Sequence, residues 1–450
     1  MKKHQHRFGF AATILLLVMG LALAGCGGGK SSGDSSASPS SASPSGSSSS
    51  PASSPDNGGG KSGAKTEILF WTPFSGPDGP FMKSIVDGYN QQSDRFTIKF
   101  QIQPNGDYYK LLDNAFGTKK NMPDFMIMHL DSIPTYVKKD LLLPMDDLAA
   151  KAGIQKADFA DAAVNCGTID GKWMGIPLDI HPLIMYYNKD LFQAAGIAAP
   201  PTNMQEFLDA AKKLTDASKG QWGYVMPTQW PQQFLFPSLV YQQGADLADA
   251  SGKPTLNTPE AVKALEFERS LIFEHKVSPQ KVAQDGEVKL FLQGKNAIQF
   301  NGPWMKDQWD KAKLNYGVAP IPVFFDQPGV FAGSHNFVVP KSQTDQAKLD
   351  GIGDFLKYVA GHSLDWAKSG QAVASKAVLA SAEFQALTQQ QTEVAKEFDY
   401  VHFAPPVPNW GSYTGELYNQ INLVLLNNGD AKKALDEAQA KAEQAAAANK

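Results

Sequence analysis

Arginine and cysteine are the scarcest reactive residues of this 450-residue chain. Its only arginines are Arg7, Arg95 and Arg269, and its net charge is −4 at pH 7. A phosphate-bearing ligand needs cationic donors and nucleic acid needs a basic surface, so the sequence indicates neither partner. The two cysteines, Cys26 and Cys166, have no zinc-type spacing. We expect Cys166 to be buried as a small hydrophobic residue.

A second deficiency is confined to one segment. Residues 27–65 contain no Leu, Ile, Val, Met or aromatic residue, and consist mainly of Ser, Gly, Pro and Ala. Such a segment has no apolar surface to bury against the entropy of ordering, so a flexible linker is predicted. The chain as a whole is 42% hydrophobic and 10% aromatic. That composition supplies a large core, and the length favours two domains.

The first 25 residues have the layout of a secretory signal peptide. Lys2, Lys3 and Arg7 precede an apolar run over residues 8–24, and small residues stand directly before Cys26. This motif resembles the processing site of bacterial lipoproteins. The resemblance implies cleavage before Cys26, a lipid such as palmitate on that cysteine, and a lipid-anchored, extracytoplasmic protein on the outer face of the cell membrane. An uncleaved anchor is the alternative, although the apolar run is at the short limit for a membrane span.

Strands and helices alternate from residue 66 onward. Short apolar runs predict strands at 67–71, 96–101 and 125–128, and helical spacing predicts helices at 81–91 and 108–116. This alternation is typical of an α/β domain with a mostly parallel sheet, in which ligands bind beyond the carboxyl ends of the strands. Further helices are predicted at 204–214, 261–273, 346–360, 417–426 and 431–450, and extended segments at 297–300, 318–322 and 336–340. Asn203 and Glu206 are predicted to cap the helix at 204–214.

Six sequence blocks carry a family resemblance. They are Phe70-Trp71, Pro123-Asp124 leading to Asp131, Gly175-Ile176-Pro177 through Tyr187-Asn188-Lys189-Asp190-Leu191-Phe192, Ala195-Gly196-Ile197 with Pro200-Pro201-Thr202, Asn301-Gly302-Pro303-Trp304, and Gly333-Ser334-His335-Asn336. With these blocks in this order over residues 66–445, the chain resembles the extracellular solute-binding proteins of sugar importers, in the maltose-binding-protein-like branch.

The resemblance implies a fold and a domain organisation. The implied fold is the α/β, two-lobed, type II periplasmic-binding-protein fold, with two mostly parallel sheets flanked by helices and a hinge of three crossings near 177–183, 321–333 and 404–408. After a signal peptide at 1–25 and a lipidated linker at 26–65, lobe one comprises 66–179 and 334–402. Lobe two comprises 184–328 and 405–450.

The resemblance also implies a function. The chain is expected to be a monomer that binds a carbohydrate, a neutral oligosaccharide, between its lobes and delivers it to the permease subunits of an ABC importer. It is expected to be no enzyme, to need no cofactor or metal, and to bind no nucleic acid.

A sugar offers apolar ring faces and a rim of hydroxyl groups, so its site needs flat aromatic rings and polar side chains. The aromatic candidates are Trp71, Phe74, Trp230, Trp304 and Trp410. The polar candidates are Asp131, Asp179, His181, Gln232, Ser334 and His335. Three alternatives stay open at this point. Trp71 could belong to a lobe core, Asp131 could cap a helix, and Asp179 could pair with a hinge group.

Three other functions compete with sugar binding as explanations of the same residues. Asp131 and Asp179 could in principle flank a glycosidic bond, although no nucleophile motif accompanies them. His129, His181 and His335 could converge on a metal ion, although their spacing matches no ligand motif. A binding protein for a glycerol-phosphate ester, a polyol or a cation is a further alternative. The scarcity of arginine disfavours the phosphate ester, and a cation would need an aromatic box with carboxylates.

Overall fold

The structure is a computed structural model that describes residues 64–387 and 389–448. The predicted signal peptide, the lipidation site at Cys26 and nearly all of the linker lie outside the described residues. Among the described residues, no helix combines the length and the apolar character that a membrane crossing needs.

Most of the predicted elements are present. The strands are β1 Thr66–Thr72, β2 Phe96–Ile102, β3 Phe125–His129, β4 Leu142–Leu143, β5 Thr168–Ile169, β6 Lys172–Trp173, β7 Ile176–Pro177, β8 Asp179–Pro182, β9 Ile184–Asn188, β10 Trp222–Tyr224, β11 Asn296–Asn301, β12 Tyr316–Ala319, β13 Val330–Gly333, β14 His335–Pro340, β15 Ala372–Val373 and β16 Val401–His402. The extended segment predicted at 318–322 is therefore a strand only as far as Ala319.

The helices follow the predicted pattern, and several are longer than predicted. They are α1 Gly79–Gln92, α2 Tyr108–Thr118, α3 Ile133–Lys138, α4 Asp146–Ala152, α5 Asp161–Cys166, α6 Lys189–Ala194, α7 Met204–Leu214, α8 Gln232–Tyr241, α9 Pro259–Phe273, α10 Gly286–Leu292, α11 Lys306–Lys311, α12 Gln346–Ala367, α13 Lys376–Leu379, α14 Ala382–Gln385, α15 Gln389–Ala395, α16 Trp410–Asn427 and α17 Ala431–Ala448. At α7 the predicted cap is confirmed, because the Asn203 side chain accepts from the Glu206 N–H at 3.0 Å.

The two larger sheets are mixed, so the prediction of mostly parallel sheets is wrong. In the first sheet, of order β2-β1-β3-β14-β4, β1 pairs in parallel with β2 and β3, whereas β14 is antiparallel to β3, β4 and β7. In the second, of order β10-β11-β9-β12, β9 is antiparallel to both neighbours. A parallel neighbour usually needs a helical crossover. Strands β9 and β14 instead follow β8 and β13 after a single residue, which leaves no room for a helical crossover. Both strands pair antiparallel with their neighbours.

A third sheet, of order β15-β8-β13-β16, joins segments that are distant in sequence. Strand β8 lies in the predicted first crossing and pairs antiparallel with β13, which ends the predicted second crossing. Strand β13 pairs in parallel with β16. Strand β16, Val401–His402, therefore lies slightly before the predicted third crossing at 404–408.

Two large hydrophobic cores account for most of the buried apolar surface. One is built from β9, β10, β11 and from helices α7, α8, α9, α16 and α17. The other is built from β1, β2, β3, β14, α1 and α12. Cys166 belongs to neither, and the expectation that it is buried needs correction, because its side chain is only half-buried. Its surroundings nevertheless raise the pKa of the thiol to about 11 by desolvation.

The larger core contains an uncompensated carboxyl group. Glu268 on α9 is fully buried, and neither carboxyl oxygen has a hydrogen-bond partner in the described chain. Burial raises the pKa of Glu268 well above its usual value, and the nearby Gln232 amide lowers it by less. The folded state therefore keeps a proton that the unfolded chain releases above about pH 4.5, and stability falls as pH rises from there through the folded-state pKa.

We predict that Glu268→Gln stabilises the protein at pH 8 by roughly 1–3 kcal/mol, because the amide needs no proton to be neutral. The gain should shrink towards pH 4.5, where the carboxyl group is protonated in both states. Urea unfolding at the two pH values measures the difference. The matched control is Glu266→Gln, the same chemical change at an exposed position of α9. A gain for Glu268→Gln that is equal at both pH values would contradict this account.

Candidate functional site

Three imidazole rings meet where strands of different sheets end. His129, the last residue of β3, lies opposite His335, the first residue of β14. His181 on β8 lies opposite Gly333 at the end of β13. Because one residue separates Gly333 from His335, the two pairings bring the rings together. The ring centroids are 4.5 Å apart for His181 and His335, 4.9 Å for His129 and His335, and 6.5 Å for His129 and His181.

A buried carboxylate holds two of these rings. Asp179 has no solvent exposure. Its Oδ1 accepts from His181 Nδ1 at 3.0 Å and from the His335 backbone N–H at 2.9 Å. Its Oδ2 accepts from His335 Nδ1 and from Trp366 Nε1, both at 2.8 Å. Four donors from β8, β14 and α12 therefore converge on one carboxyl group.

The electrostatics of this cluster differ from ring to ring. Burial alone would raise the pKa of Asp179, but the charges of His335 and His181 and their hydrogen bonds outweigh it and hold that pKa well below its usual range. Burial lowers the pKa values of His129 and His181, and the charge of His335 lowers both further. Burial lowers the pKa of His335 as well, but the charge and the hydrogen bond of Asp179 outweigh burial, so the pKa of His335 is raised.

Beside the histidines lies an aromatic shelf formed by Trp230, Phe234 and Trp304. The two indole rings have centroids 5.8 Å apart and planes inclined by 33°. Phe234 meets both edge-on, at 5.4 Å from Trp230 and 5.6 Å from Trp304. His181 continues this surface, with its ring 5.8 Å from Trp304. Trp230 is 38% exposed, so the shelf is open to solvent at its outer end.

Local sequence explains the position of Trp304. The Asn301 side chain accepts from the Gly302 N–H at 2.8 Å and turns the chain at the end of β11. A Cβ on Gly302 would lie 2.0 Å from the Trp304 ring. The ring can therefore lie over the backbone only because residue 302 has no side chain. Gly333 has the same role under His181, since a Cβ there would lie 2.1 Å from His181 Nε2.

Two carboxylates stand near this cluster. Asp131, after β3, is exposed, yet surrounding protein atoms reduce its solvation and raise its pKa. Its charge also raises the pKa values of Tyr109 on α2 and Tyr418 on α16, in both cases by less than burial does. Asp78, before α1, is half-buried; burial raises its pKa and the charge of His335 lowers it. The ligand contact predicted for Asp131 stays a prediction, and Asp78 was not among the candidates.

The structure brings together Phe74, His181, Trp230, Trp304 and His335 of the predicted set. Phe74 meets the His335 ring edge-on at 4.9 Å.

Three other predicted residues lie elsewhere. Trp71 is 6% exposed and donates its indole N–H to Gln101 at 2.9 Å, within the small core around α2. Gln232 is fully buried, and its amide donates to the Pro227 carbonyl. Trp410 is 6% exposed and packs against Tyr413 in the larger core. Each was predicted as a ligand contact, and the contacts of each in the described residues are those of packing; the ligand contact itself stays a prediction.

Two further predicted polar residues have structural partners. The Ser334 hydroxyl is buried and accepts from the Asn336 amide at 3.1 Å. Asp179 is the hub of the histidine cluster rather than an exposed ligand group, which corresponds to the hinge-pairing alternative. A fully buried Asp179 with four hydrogen bonds is not placed to flank a scissile bond opposite Asp131. The carboxylate pair that a glycosidase would need is therefore not formed by these two residues.

Sequence reasoning missed four contributors. His129 was considered only as a metal ligand, and Trp366, Phe234 and Asp78 were not among the candidates. The available signals were positional: His129 directly follows the buried core of β3, and Phe234 lies one turn beyond Trp230. For Trp366, near the end of α12, no local pattern indicated the hydrogen bond to Asp179.

Asp179, His181 and His335 also form a possible metal-binding group, with one donor atom from each lying within 4.8 Å of the others. The donor atoms in question already hydrogen-bond to one another: both Nδ1 atoms are bound to Asp179. Their closeness is thus that of a hydrogen-bond network, and a metal would have to displace it.

Comparison with known proteins identifies the family. Residues 75–366 match the family model described as bacterial extracellular solute-binding protein. An arabinooligosaccharide-binding protein of Halalkalibacterium halodurans is 28% identical over 308 residues, covering 65% of this chain and 67% of the relative. A maltooligosaccharide ABC transporter solute-binding lipoprotein of Streptococcus pneumoniae is 24% identical over 369 residues, covering 80% and 84%.

Among solved structures, an ABC substrate-binding protein from Listeria monocytogenes in complex with cycloalternan superposes with a TM-score of 0.76 at 21% identity. The match covers 85% of this chain and 99% of that one. This likeness confirms the predicted two-domain α/β binding-protein fold. The family model spans more than half of the chain, so the protein belongs to the bacterial extracellular solute-binding proteins.

Proposed function

We propose that this protein binds a neutral oligosaccharide against the aromatic shelf and the three histidines, and delivers it to the permease of an ABC importer. The observation that carries the proposal is the open pair of indole rings, Trp230 and Trp304, adjoining buried imidazoles at 5.8 Å. Relatives named for arabinooligosaccharide and maltooligosaccharide, and a structural neighbour holding cycloalternan, support the ligand class.

The chemistry of the shelf suits a sugar. Apolar C–H faces of a pyranose or furanose ring pack on indole planes, and the hydroxyl rim needs donors and acceptors at the edge. Trp230 and Trp304 supply two planes at different inclinations, which suits a ligand of more than one ring. His181 and His335 supply polar groups beside those planes, and we propose Asp131 as a further polar contact. Of the arginines among the described residues, Arg95 lies over the Phe96 ring and Arg269 bonds to Asn428 and Glu274, so neither belongs to the shelf.

A thermal-shift screen with maltotriose, arabinotriose and cycloalternan tests the ligand class. A sugar at one hundred times its Kd stabilises the folded state by about 2.7 kcal/mol, so a binding sugar should raise the Tm measurably. Sorbitol, glycerol 3-phosphate and spermidine stand for the alternative solutes. Stabilisation by one of these three and by no sugar would contradict the proposal.

We predict that Trp304→Ala weakens binding of the best sugar about tenfold or more, roughly 1.4 kcal/mol, because a ring face loses its stacking partner. Isothermal titration calorimetry measures the change. The matched control is Trp222→Ala, since Trp222 pairs with the first residue of β11, at the end remote from Trp304. Equal affinity of Trp304→Ala and wild type would remove Trp304 from the site.

We further propose the two lobes as 66–179 with 334–402 and 184–328 with 405–450, hinged at the third sheet. The two separate hydrophobic cores support this division. One adjustment is suggested by α15: Val394 packs with Tyr186 and Trp309, and the Glu397 carboxylate accepts from the Ile321 N–H at 3.0 Å. Helix α15 thus contacts lobe two although it precedes residue 402.

Hinge closure on the ligand follows from this organisation. The sugar contacts both lobes and shifts the population towards a closed form that docks on the permease. Small-angle scattering should show a smaller radius of gyration at saturating concentrations of the best sugar, with sorbitol as the control. An unchanged radius with the sugar fully bound would contradict closure.

We propose that the protein is a monomer, anchored to the outer face of the membrane through lipid on Cys26, with 26–65 as the tether. The sequence motif and the lipoprotein relative of Streptococcus pneumoniae support the anchor. Cys26→Ser should move the protein from the membrane fraction to the soluble fraction and abolish labelling with radioactive palmitate. Cys166→Ser is the matched control. Labelling that persists in Cys26→Ser would exclude this anchor.

A further inference from the structure

The hydrogen bonds of Asp179 leave one nitrogen of each adjoining ring unused. Both His181 and His335 direct Nδ1 at the Asp179 carboxylate. Neither Nε2 has a hydrogen-bond partner in the described part of the chain. The two side chains retain 4% and 8% solvent exposure, whereas Asp179 has none. Since the Nδ1 edge of each ring faces a sealed carboxylate, a ligand can contact only the rest of the ring, which includes Nε2. At His181 this edge also lies over the Gly333 backbone, where a Cβ would be 2.1 Å from Nε2.

We propose that Asp179 is the positioning residue of the sugar site, and that it orients His181 and His335 so that their Nε2 atoms bind two neighbouring hydroxyl groups of the ligand. This inference rests on the proposed function and deepens it. Asp179 does not touch the sugar. It fixes which nitrogen of each ring carries the proton towards the protein and which faces the ligand.

The two rings offer different hydrogen-bonding groups. Neutral His181, whose pKa is lowered by burial, carries its proton on Nδ1 for Asp179 and therefore presents an Nε2 lone pair. His335 also directs Nδ1 at Asp179, which raises its pKa, and in its protonated form it presents an Nε2–H donor. Adjacent sugar hydroxyls can donate to the first and accept from the second, and the ring centroids are only 4.5 Å apart.

The surroundings maintain this arrangement. Trp366 donates to Asp179 Oδ2, and the His335 backbone N–H donates to Oδ1, so the carboxylate cannot rotate without losing hydrogen bonds. His129 faces the two rings from β3, and Asp78 faces His335 from the end of the loop before α1. A prearranged donor and acceptor bind a hydroxyl pair without reorganisation, which favours ligands that carry both hydroxyl groups.

The test is Asp179→Asn in the full chain. An amide can accept from one imidazole but offers an N–H to the other, so one ring must move its proton to Nε2. We expect the affinity for the tightest-binding sugar among maltotriose, arabinotriose and cycloalternan to fall at least tenfold in calorimetry. The matched control is Asp124→Asn, because Asp124 is also a buried, multiply bonded carboxylate, but lies at the opposite end of β3 and bonds to Leu69 N and Lys348. Its affinity should equal that of wild type.

A second readout separates positioning from mere stability. Long-range ¹H–¹⁵N spectra of histidine-labelled protein report which nitrogen holds the proton, and His181→Gln assigns the His181 signals. Wild type should show His181 protonated at Nδ1 only, and Asp179→Asn should change the pattern of at least one ring. Because the wild-type spectrum is informative alone, the inference remains testable if Asp179→Asn does not fold.

Two results would overturn the inference: wild-type affinity in folded Asp179→Asn, or a wild-type His181 protonated at Nε2. A wild-type chain that binds none of the three sugars is a different outcome. It contradicts the proposed function and the hydroxyl-binding role together, whereas the spectra still report whether Asp179 sets the protonation of the rings. The two failures are therefore distinguishable.

Discussion

A buried carboxylate loses its hydration and needs hydrogen bonds from the surrounding protein instead. In this molecule that requirement determines how the residues around Asp179 are arranged. The effective cost of burying an ion is several kcal/mol even after relaxation. Asp179 meets it with four hydrogen bonds from His181, from the backbone and ring of His335, and from Trp366. These donors belong to β8, β14 and α12. The charge is therefore stable only when all three elements are in place, and removal of one donor weakens the attachment of the others.

Space near the histidines is set by residues that lack side chains. Gly302 and Gly333 are needed because a Cβ would meet the Trp304 ring at 2.0 Å and His181 Nε2 at 2.1 Å. The Gly302 φ of −85° is available to any residue, so the requirement there is for volume rather than for conformational freedom. Packing therefore explains why a glycine is present in two of the sequence blocks that carry the family resemblance, 301–304 and 333–336.

Local pattern predicted the elements of the fold well, whereas strand direction could not be predicted from it. Helix α7 matches its predicted bounds because Asn203 and Glu206 define its start and the apolar spacing defines its extent. The antiparallel direction of β9 and β14 relative to their neighbours depends on pairing between segments more than a hundred residues apart. Phe300 on β11, for example, lies opposite Met185 on β9. No local period encodes such a choice.

The same limit applies to the site. The sequence placed Trp71 at the end of β1, where ligands bind in such folds, but alternation along the strand puts Phe70 in one core and Trp71 in another. Gln232 was placed near the cleft, yet every residue of α8 except Gln233 is buried, so its amide lies inside the protein. The family blocks contain His181, Trp304 and His335, which the structure brings together because β8 and the end of β11 meet the start of β14. They did not show that Asp179 lies behind those rings.

On the proposed function, the two halves of the site have different physical roles. Trp230 is 38% exposed and can receive a sugar face from solvent, so the aromatic shelf gains affinity from apolar area without demanding a particular hydroxyl pattern. The side chains of His181 and His335 are nearly buried, so water cannot easily replace a hydrogen bond to Nε2 that a ligand fails to make. An unmatched buried polar group costs about 1–3 kcal/mol. Discrimination between sugars of similar size should then arise at the imidazoles. Because Asp179 fixes both rings, the selectivity of the site depends on a residue that the ligand does not touch.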